Sequence, residues 1–273
     1  MKIINKSFIS IFFKIRNEQS HKGDHGHALL IAGSYTKMGA ALIASKACLR
    51  TGVGLLTVLI SKEDRQTLNI FLPEAMIHFN NDTIDFSLYD VVGIGPGLSQ
   101  NETAEKLVYT TISEVKQNLV IDADALNLLA KNLDWFKKLP TNTILTPHPK
   151  EFDRLFGNHD SEQSRRNTAI LKAKEINCII VLKGHKTFIT NGMDTFENTT
   201  GNAGLAKGGS GDALTGMITA LLAQKYSAIE AALLGVYLHG LSADLTLKTQ
   251  STESMLITDV IENIGIAFKE IQI

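Results

Sequence analysis

The stretch Ala206-Lys207-Gly208-Gly209-Ser210-Gly211-Asp212-Ala213-Leu214-Thr215-Gly216-Met217 passes from a glycine-rich loop straight into an apolar helix. Glycines allow backbone conformations in which successive N–H groups converge, and a helix start adds partial positive charge. Such a turn can cradle an anion such as a phosphate. Asp212 falls in the first turn of that helix. A carboxylate beside an anion site is repulsive unless the chemistry needs one, and a base that takes a proton from an attacking hydroxyl is such a need. The other reading of Asp212 is a helix cap, because Asp is favoured at helix N-termini.

Around this turn, short β-rich runs alternate with helix-length segments, the pattern of strand-helix units and a largely parallel sheet. The expected strands are Ala28–Ala32, Leu55–Ile60, Val91–Ile94, Leu119–Ile121, Thr143–Leu145 and Ile179–Leu182. Several are apolar on both faces, which suits strands covered by helices on each side. The expected helices are Gly39–Thr51, Ala104–Lys116, Asp124–Lys131, Glu162–Ile176, Asp212–Ala223, Ile229–Leu247 and Ile257–Glu270. In an open α/β sheet of this kind, ligands bind at the carboxyl ends of the strands. No Pro/Ser-rich linker, charge block or internal repeat interrupts the series, so one domain over residues 1–273 is the simplest organisation.

The 273 residues carry 27 Lys+Arg against 28 Asp+Glu, and 44% are hydrophobic, which excludes intrinsic disorder and a basic nucleic-acid-binding domain. Only two, widely separated cysteines, Cys48 and Cys178, argue against a disulfide scaffold and read as buried thiols; a cytoplasmic protein is expected. The run Phe8-Ile9-Ser10-Ile11-Phe12-Phe13 is too short for a signal peptide and is broken by Lys14 and Arg16. Residues 1–20 are expected as a peripheral helix or partner contact. The surplus of apolar residues in Ile229–Leu238 hints at subunit contacts. His21, His25 and His27 lie close together but lack a helical or paired-cysteine ligand frame.

Further motifs lie in order along the chain. They are His21-Lys22-Gly23-x-x-Gly26, Leu30-Ile31-Ala32-Gly33-Ser34, Gly39-Ala40-Ala41, Gly93-Ile94-Gly95-Pro96-Gly97-Leu98 and Asp122-Ala123-Asp124-Ala125-Leu126-Asn127. Thr146-Pro147-His148-Pro149-Lys150-Glu151-Phe152 and Leu182-Lys183-Gly184-His185-Lys186-Thr187 follow. With Gly209-Ser210-Gly211-Asp212, which resembles the G-x-G-D signature of ribokinase-like kinases, this set resembles the ADP/ATP-dependent NAD(P)H-hydrate dehydratases. The resemblance spans about residues 21 to 245 and is to the stand-alone form without an epimerase domain.

What the resemblance implies is specific. The fold would be a ribokinase-like three-layer α/β/α sandwich around a largely parallel sheet. The activity would be nicotinamide nucleotide repair: the S-form of NADHX or NADPHX is phosphorylated on its C6 hydroxyl by ADP or ATP, and phosphate is then eliminated to restore NADH or NADPH. Asp212 would deprotonate that hydroxyl, and the N–H groups of Gly209, Ser210 and Gly211 would stabilise the transferring phosphoryl group. Lys183, Gly184, His185, Lys186 and Thr187, with Gly211, would contact the adenine nucleotide, although the same segment also reads as a hairpin turn with solvated lysines. Ala40, Gly97 and His148, with Asp212, would bind the hydrate. Glu151 would organise Mg2+ through water, or else is an acid favoured in a helix's first turn by the dipole. Asp122 could hold magnesium or a substrate ribose, and Asp124 reads as a helix cap. Family members form homo-oligomers, often tetramers, and work alongside a separate epimerase. A ribokinase-like kinase of a small alcohol such as hydroxyethylthiazole would share Asp212 and the anion hole. The Thr146–Pro149 segment and the Gly95-Pro96-Gly97 loop favour the dehydratase.

Overall fold

The computed structural model describes residues 1–80 and 82–272. The strands are β1 (Lys2–Ile4), β2 (His27–Ile31), β3 (Leu55–Ile60), β4 (Met76–Phe79), β5 (Val91–Ile94), β6 (Asn118–Ile121), β7 (Ile144–Leu145), β8 (Ile179–Leu182), β9 (Phe188–Thr190) and β10 (Thr195–Asn198). They form one sheet in the order β1-β10-β9-β8-β7-β6-β5-β2-β3-β4. Among the described residues only β9 runs antiparallel to its neighbours, through the β8–β9 and β9–β10 pairings. From β2 the chain winds outward to β3 and β4, then returns to β5 and winds the other way through β6, β7 and β8. The loops after β2 and β5 therefore part at a topological switch point, which opens a crevice at the carboxyl edge of the sheet.

The helices are α1 (Lys6–Ser10), α2 (Met38–Arg50), α3 (Arg65–Phe71), α4 (Glu102–Glu114), α5 (Ala123–Lys131), α6 (Pro149–Phe156), α7 (Glu162–Glu175), α8 (Ser210–Ala223), α9 (Ala228–Thr246), α10 (Ile257–Glu262) and α11 (Ile264–Gln272). Side chains alternate across the sheet with the strand's period of two. Ala28, Leu30, Leu56, Val58 and Val91 enter a core with α2, α8, α9, α10 and α11, whereas Leu29, Ile31, Val92, Ile94 and Ile121 enter a second core with α4, α5, α6 and α7. Both faces of the central strands are covered, as their continuous apolar runs require, and the result is the expected three-layer α/β/α sandwich.

Three expectations are corrected. Residues 2–10 are not peripheral: β1 pairs in parallel with β10, and Ile4 and Ile9 are fully buried. Phe8 packs against Phe196 with ring centroids 5.8 Å apart, so the amphipathic start of the chain completes the sheet edge. The apolar surplus of α9 is likewise absorbed within the chain. That helix is long and apolar enough to resemble a membrane span, but 72% of its apolar window is buried, against α8, α10 and α11. The expected helix over Ile257–Glu270 is two helices, with the break at Asn263, whose Nδ2 donates to Thr246 Oγ1 at 3.0 Å and to the Asp259 carbonyl at 3.0 Å.

Phe152 fills the second core beneath α6, edge-on to Phe156 at 5.0 Å, and is fully buried. Phe152→Ala should cost about 3–5 kcal/mol of stability, the usual scale for emptying a buried aromatic site, and the loss should be read as a lower midpoint in urea unfolding.

Candidate active site

Gly209 caps the start of α8 in a left-handed conformation, φ 91°. A Cβ there would lie 2.7 Å from Ile43 Cδ1 and 2.9 Å from Ile257 Cγ2, so backbone geometry and packing both require glycine. No side chain caps this helix. The first-turn N–H groups of Gly211 and Asp212 are left for an outside acceptor, because the intrahelical series begins with Ala213 donating to the Gly209 carbonyl at 2.9 Å. The glycine-rich turn is thus an anion cradle formed by the helix itself.

Beside it lies a charge cluster. Lys183, at the end of β8, donates to Asp122 Oδ1 at 2.8 Å and stands 3.9 Å from Glu151 Oε2. Asp122, at the end of β6, is almost fully buried, and its other oxygen accepts from Thr215 Oγ1 of α8 at 2.7 Å. Burial opposes the charge on Lys183, but Asp122 and Glu151 outweigh it and hold the ammonium above its ordinary pKa. The next residue, Ala123, has φ 49°, a left-handed conformation costly for a residue with a Cβ and of the kind that gathers at functional sites.

Asp212 has no such partner close enough to neutralise it. Burial and the nearby Asp122 carboxylate push its pKa up to about 6, with Lys183 opposing. Burial likewise pushes Glu151 up. His148 caps α6: its Nδ1 accepts from the N–H groups of Lys150 and Glu151, and Glu151 Oε2 accepts from the His148 N–H at 2.9 Å. The capping box therefore fixes the direction of the Glu151 carboxylate, so the structural role also serves the chemical one. Burial and the charge of Lys183 lower the pKa of His148.

Asp212 stands where two cavities meet. A cavity of about 780 Å³ is lined by Lys183, Gly184, His185, Thr187, Ser210 and Gly211, with His148 and the segment 198–208 around it. A second, of about 420 Å³, is lined by Ala40, Gly97, Asp124, Asn127 and Glu151. Asp212 and Ala123 line both. Most of the residues anticipated for the nucleotide and for the hydrate thus fall on opposite sides of one carboxylate. His148 lies on the larger side. Lys186 faces away, 3.6 Å from Glu197, and Gly209 acts through the helix cap without lining either cavity. Ala40 and Gly97 are small because they touch: a Cβ on Gly97, whose φ is 61°, would lie 2.8 Å from Ala40 Cβ. Asp124 does not cap α5, where Asp122 holds that position. It accepts from the Ser99 N–H at 2.9 Å and pairs with Lys37 at 2.9 Å, tying the loops after β2 and β5 together.

Several site residues escaped the sequence reading, His239 foremost. His239 of α9 lines the larger cavity, and burial lowers its pKa to about 4, so it is neutral at neutral pH. Its Nε2 is buried with no hydrogen-bond partner among the described residues. The available signal was a lone histidine in the apolar run Ala231–Leu245. Asn198, Thr200 and Asn202 line the same end of the cavity, where Asp244 secures the loop by accepting from the Gly201 N–H at 2.9 Å.

Comparison with known proteins agrees with this geometry. The family described as NAD(P)H-hydrate dehydratase matches residues 28–265. The chain belongs to that family. The ADP-dependent (S)-NAD(P)H-hydrate dehydratase of Streptococcus thermophilus is 40% identical over 235 residues, covering 82% of this chain and 84% of the relative. The bifunctional NAD(P)H-hydrate repair enzyme of Escherichia coli is 39% identical over 258 residues, covering 92% of this chain and 49% of the relative. The chain therefore spans about half the length of that bifunctional enzyme. Among solved structures, the ADP/ATP-dependent NAD(P)H-hydrate dehydratase of Bacillus subtilis, co-crystallized with ATP and Mg2+, superposes with a TM-score of 0.89 at 32% identity, covering 99% of this chain and 98% of that one. A ribokinase-like fold for this member of the dehydratase family follows directly.

The cluster has a thermodynamic signature. An acid whose folded pKa lies above its unfolded one favours the native state below the unfolded value, and that contribution is lost as pH rises through the folded value. For Asp212 the window runs from about 4 to about 6. Asp212→Asn should therefore raise stability by on the order of 2 kcal/mol at pH 8, with the gain fading toward pH 4, as read by thermal unfolding at both pH values.

Proposed function

We propose that the chain is an ADP- or ATP-dependent (S)-NAD(P)H-hydrate dehydratase acting in nicotinamide nucleotide repair. The observation that carries the reading is Asp212, a carboxylate with pKa near 6 at the junction of two cavities and in the first turn of an uncapped helix. A general base works best with a pKa near the working pH, and the neighbouring N–H groups stabilise charge on a transferring phosphoryl group.

The larger cavity suits an adenine nucleotide: phosphates at Ser210, Gly211 and Lys183, and the base toward Asn202 and His239, whose orphaned nitrogen needs a partner. The smaller cavity takes the hydrated nicotinamide ring beside Ala40 and Gly97. Asp212 accepts the proton of the C6 hydroxyl as its oxygen bonds to the terminal phosphorus of ADP, and AMP leaves; with ATP, ADP leaves. The ring nitrogen lone pair then expels phosphate from C6, and the C5 proton is lost to give the dihydronicotinamide. Lys183 holds phosphate charge without moving a proton, since its carboxylate partners keep it an ammonium.

The buried Glu151 carboxylate, raised by desolvation and with Lys183 no closer than 3.9 Å, fits a cation held through water. Among the described residues no three His, Cys, Asp or Glu side chains form a metal cage. Magnesium suits this arrangement because it keeps several waters and takes one or two carboxylates plus nucleotide phosphates; when bound it would neutralise charge on the transferring group. A homo-oligomer, with a tetramer the expected form, and an upstream epimerase supplying the S-form complete the proposal. Exposed Ile70, Phe71 and Met76 beside the edge strand β4 offer apolar surface for subunit contact.

The deciding experiment is to incubate the protein with the S-form hydrate of NADH, Mg2+ and either ADP or ATP, and to follow recovery of NADH absorbance. Nucleotide-dependent recovery is expected. No recovery with either nucleotide from folded protein would turn the reading to a kinase of a small alcohol. Asp212→Asn should lower turnover at least about a hundredfold while ADP still binds. In the wild type, kcat/KM should fall on the acid side of about pH 6, where Asp212 takes up a proton and ceases to act as a base.

A further inference from the structure

The loop that carries the chain from β10 to the anion cradle is held at three points. Upstream, Asp244 of α9 accepts from the Gly201 N–H at 2.9 Å and from Asn202 Nδ2 at 3.0 Å. At the far end Gly209 is wedged against Ile43 and Ile257. Between them stands Lys207, whose Nζ donates to the Met255 carbonyl at 2.7 Å and also to the Glu253 carbonyl. Both acceptors lie in the connection between α9 and α10.

Lys207 is only half-buried, and fixing its long side chain costs about 2 kcal/mol of rotamer freedom. In return it satisfies two carbonyls to which no backbone N–H donates among the described residues. The same two stretches meet again where buried Met255 closes on Gly204, so nearly that a Cβ there would clash with its methyl group. The clasp reaches the cradle through the turn itself. The Lys207 carbonyl accepts from the Ser210 N–H at 3.4 Å, and this turn carries Gly209 in its left-handed conformation into the first turn of α8. Gly208, between the two holds, has no atom among the described residues within 4 Å of where its Cβ would stand. On its upstream side the turn is therefore steadied by the Lys207 side chain.

We propose that Lys207 is a positioning residue for phosphoryl transfer: its ammonium clasps the turn before α8 to the connection between α9 and α10, and so holds the cradle N–H groups where the transferring group needs them. The inference rests on the dehydratase reading for the reaction and on the two carbonyl contacts for the clasp. Preorganised donors stabilise a transition state only while they are fixed, and a displacement of about 1 Å costs on the order of a hundredfold in rate. Lys207 also borders the larger cavity, so a change in its placement is felt where the donor nucleotide lies.

The test compares wild type with Lys207→Ala, alone and in propylammonium, which returns the atoms that the substitution removes. Amide hydrogen exchange of residues 251–256 reads the clasp, calorimetric titration with ADP reads the donor cavity, and turnover of the NADH hydrate at saturating ADP reads the chemistry. Lys207→Ala should speed exchange at least about tenfold, the scale of losing a charged hydrogen bond. It should lower kcat at least about tenfold while KM for the hydrate stays within about twofold, because the cradle acts on the transferring group and not on the hydrate. Propylammonium should restore most of both losses. Unchanged exchange overturns the clasp, and unchanged kcat beside faster exchange overturns the positioning role. A weakened ADP titration with unchanged exchange assigns Lys207 to the phosphates directly and overturns the proposal as well. So does a fall in kcat that propylammonium leaves untouched, which places the effect in the packing of the side chain's stem. Absence of turnover in the wild type removes the dehydratase reading, and exchange and ADP affinity then decide the clasp by themselves.

Discussion

The 2.8 Å ion pair between Lys183 and Asp122 is the constraint on which the rest of the site depends. It joins the ends of β8 and β6, and through Thr215 it reaches the first turns of α8, so three elements that meet nowhere in sequence are fixed to one another. Its cost is desolvation, which such a pair recovers only with close geometry and satisfied partners. Asp122 meets that condition, with each oxygen bonded. Removing the ammonium would leave Asp122, Glu151 and Asp212 repelling one another in a poorly solvated space. The pair also bears on the chemistry: burial and the Asp122 carboxylate raise the pKa of Asp212 to about 6, and Lys183 opposes that rise only in part.

A second consequence concerns the use of space. The anion cradle at α8 and the switch point between β2 and β5 are separate devices of an α/β sheet, one made by a helix start and the other by strand order. Here they adjoin, and Asp212 is the carboxylate that belongs to both cavities. A base placed between two rooms can take a proton from a group in one and direct the resulting oxygen at a phosphorus in the other. Neither room has to open for the other to be filled.

Much of this was legible in the sequence, for physical reasons. Leu55–Ile60 and Val91–Ile94 read as strands because both of their faces are apolar, and only helices on each side can bury both. The turn before Asp212 read as an anion site because its chemistry lies in the backbone and needs no long-range partner. The elements that were not legible obtain their structure from a neighbour. β1, β4 and β10 are three or four residues long with mixed polarity, and they are strands because they extend a sheet already formed. The cap fell to Asp122 and not Asp124, because α5 starts at Ala123, one residue earlier than expected, while Asp124 turns to Ser99 and Lys37. His239 was hidden by its surroundings, since a histidine in an apolar helix is legible as a site residue only when α9 is seen to pass along a cavity.

The unfavourable features of the site lie close together, and that placement is informative. An unpaired carboxylate with a raised pKa, a left-handed Ala123 and an orphaned His239 nitrogen each cost stability, and all three border the same cavity. Capping boxes at Ser227 and His148 satisfy the starts of α9 and α6, and the central strands alternate between the two cores. Three such costs gathered around one cavity mark it as the place where stability has been spent for function. The ligand that relieves those features must bring a donor or acceptor to His239, an anion to the α8 N–H groups and an acidic proton to Asp212. A phosphorylated nucleotide meets the first two requirements and a hydroxyl substrate the third, which is why the site needs two ligands at once to be at rest.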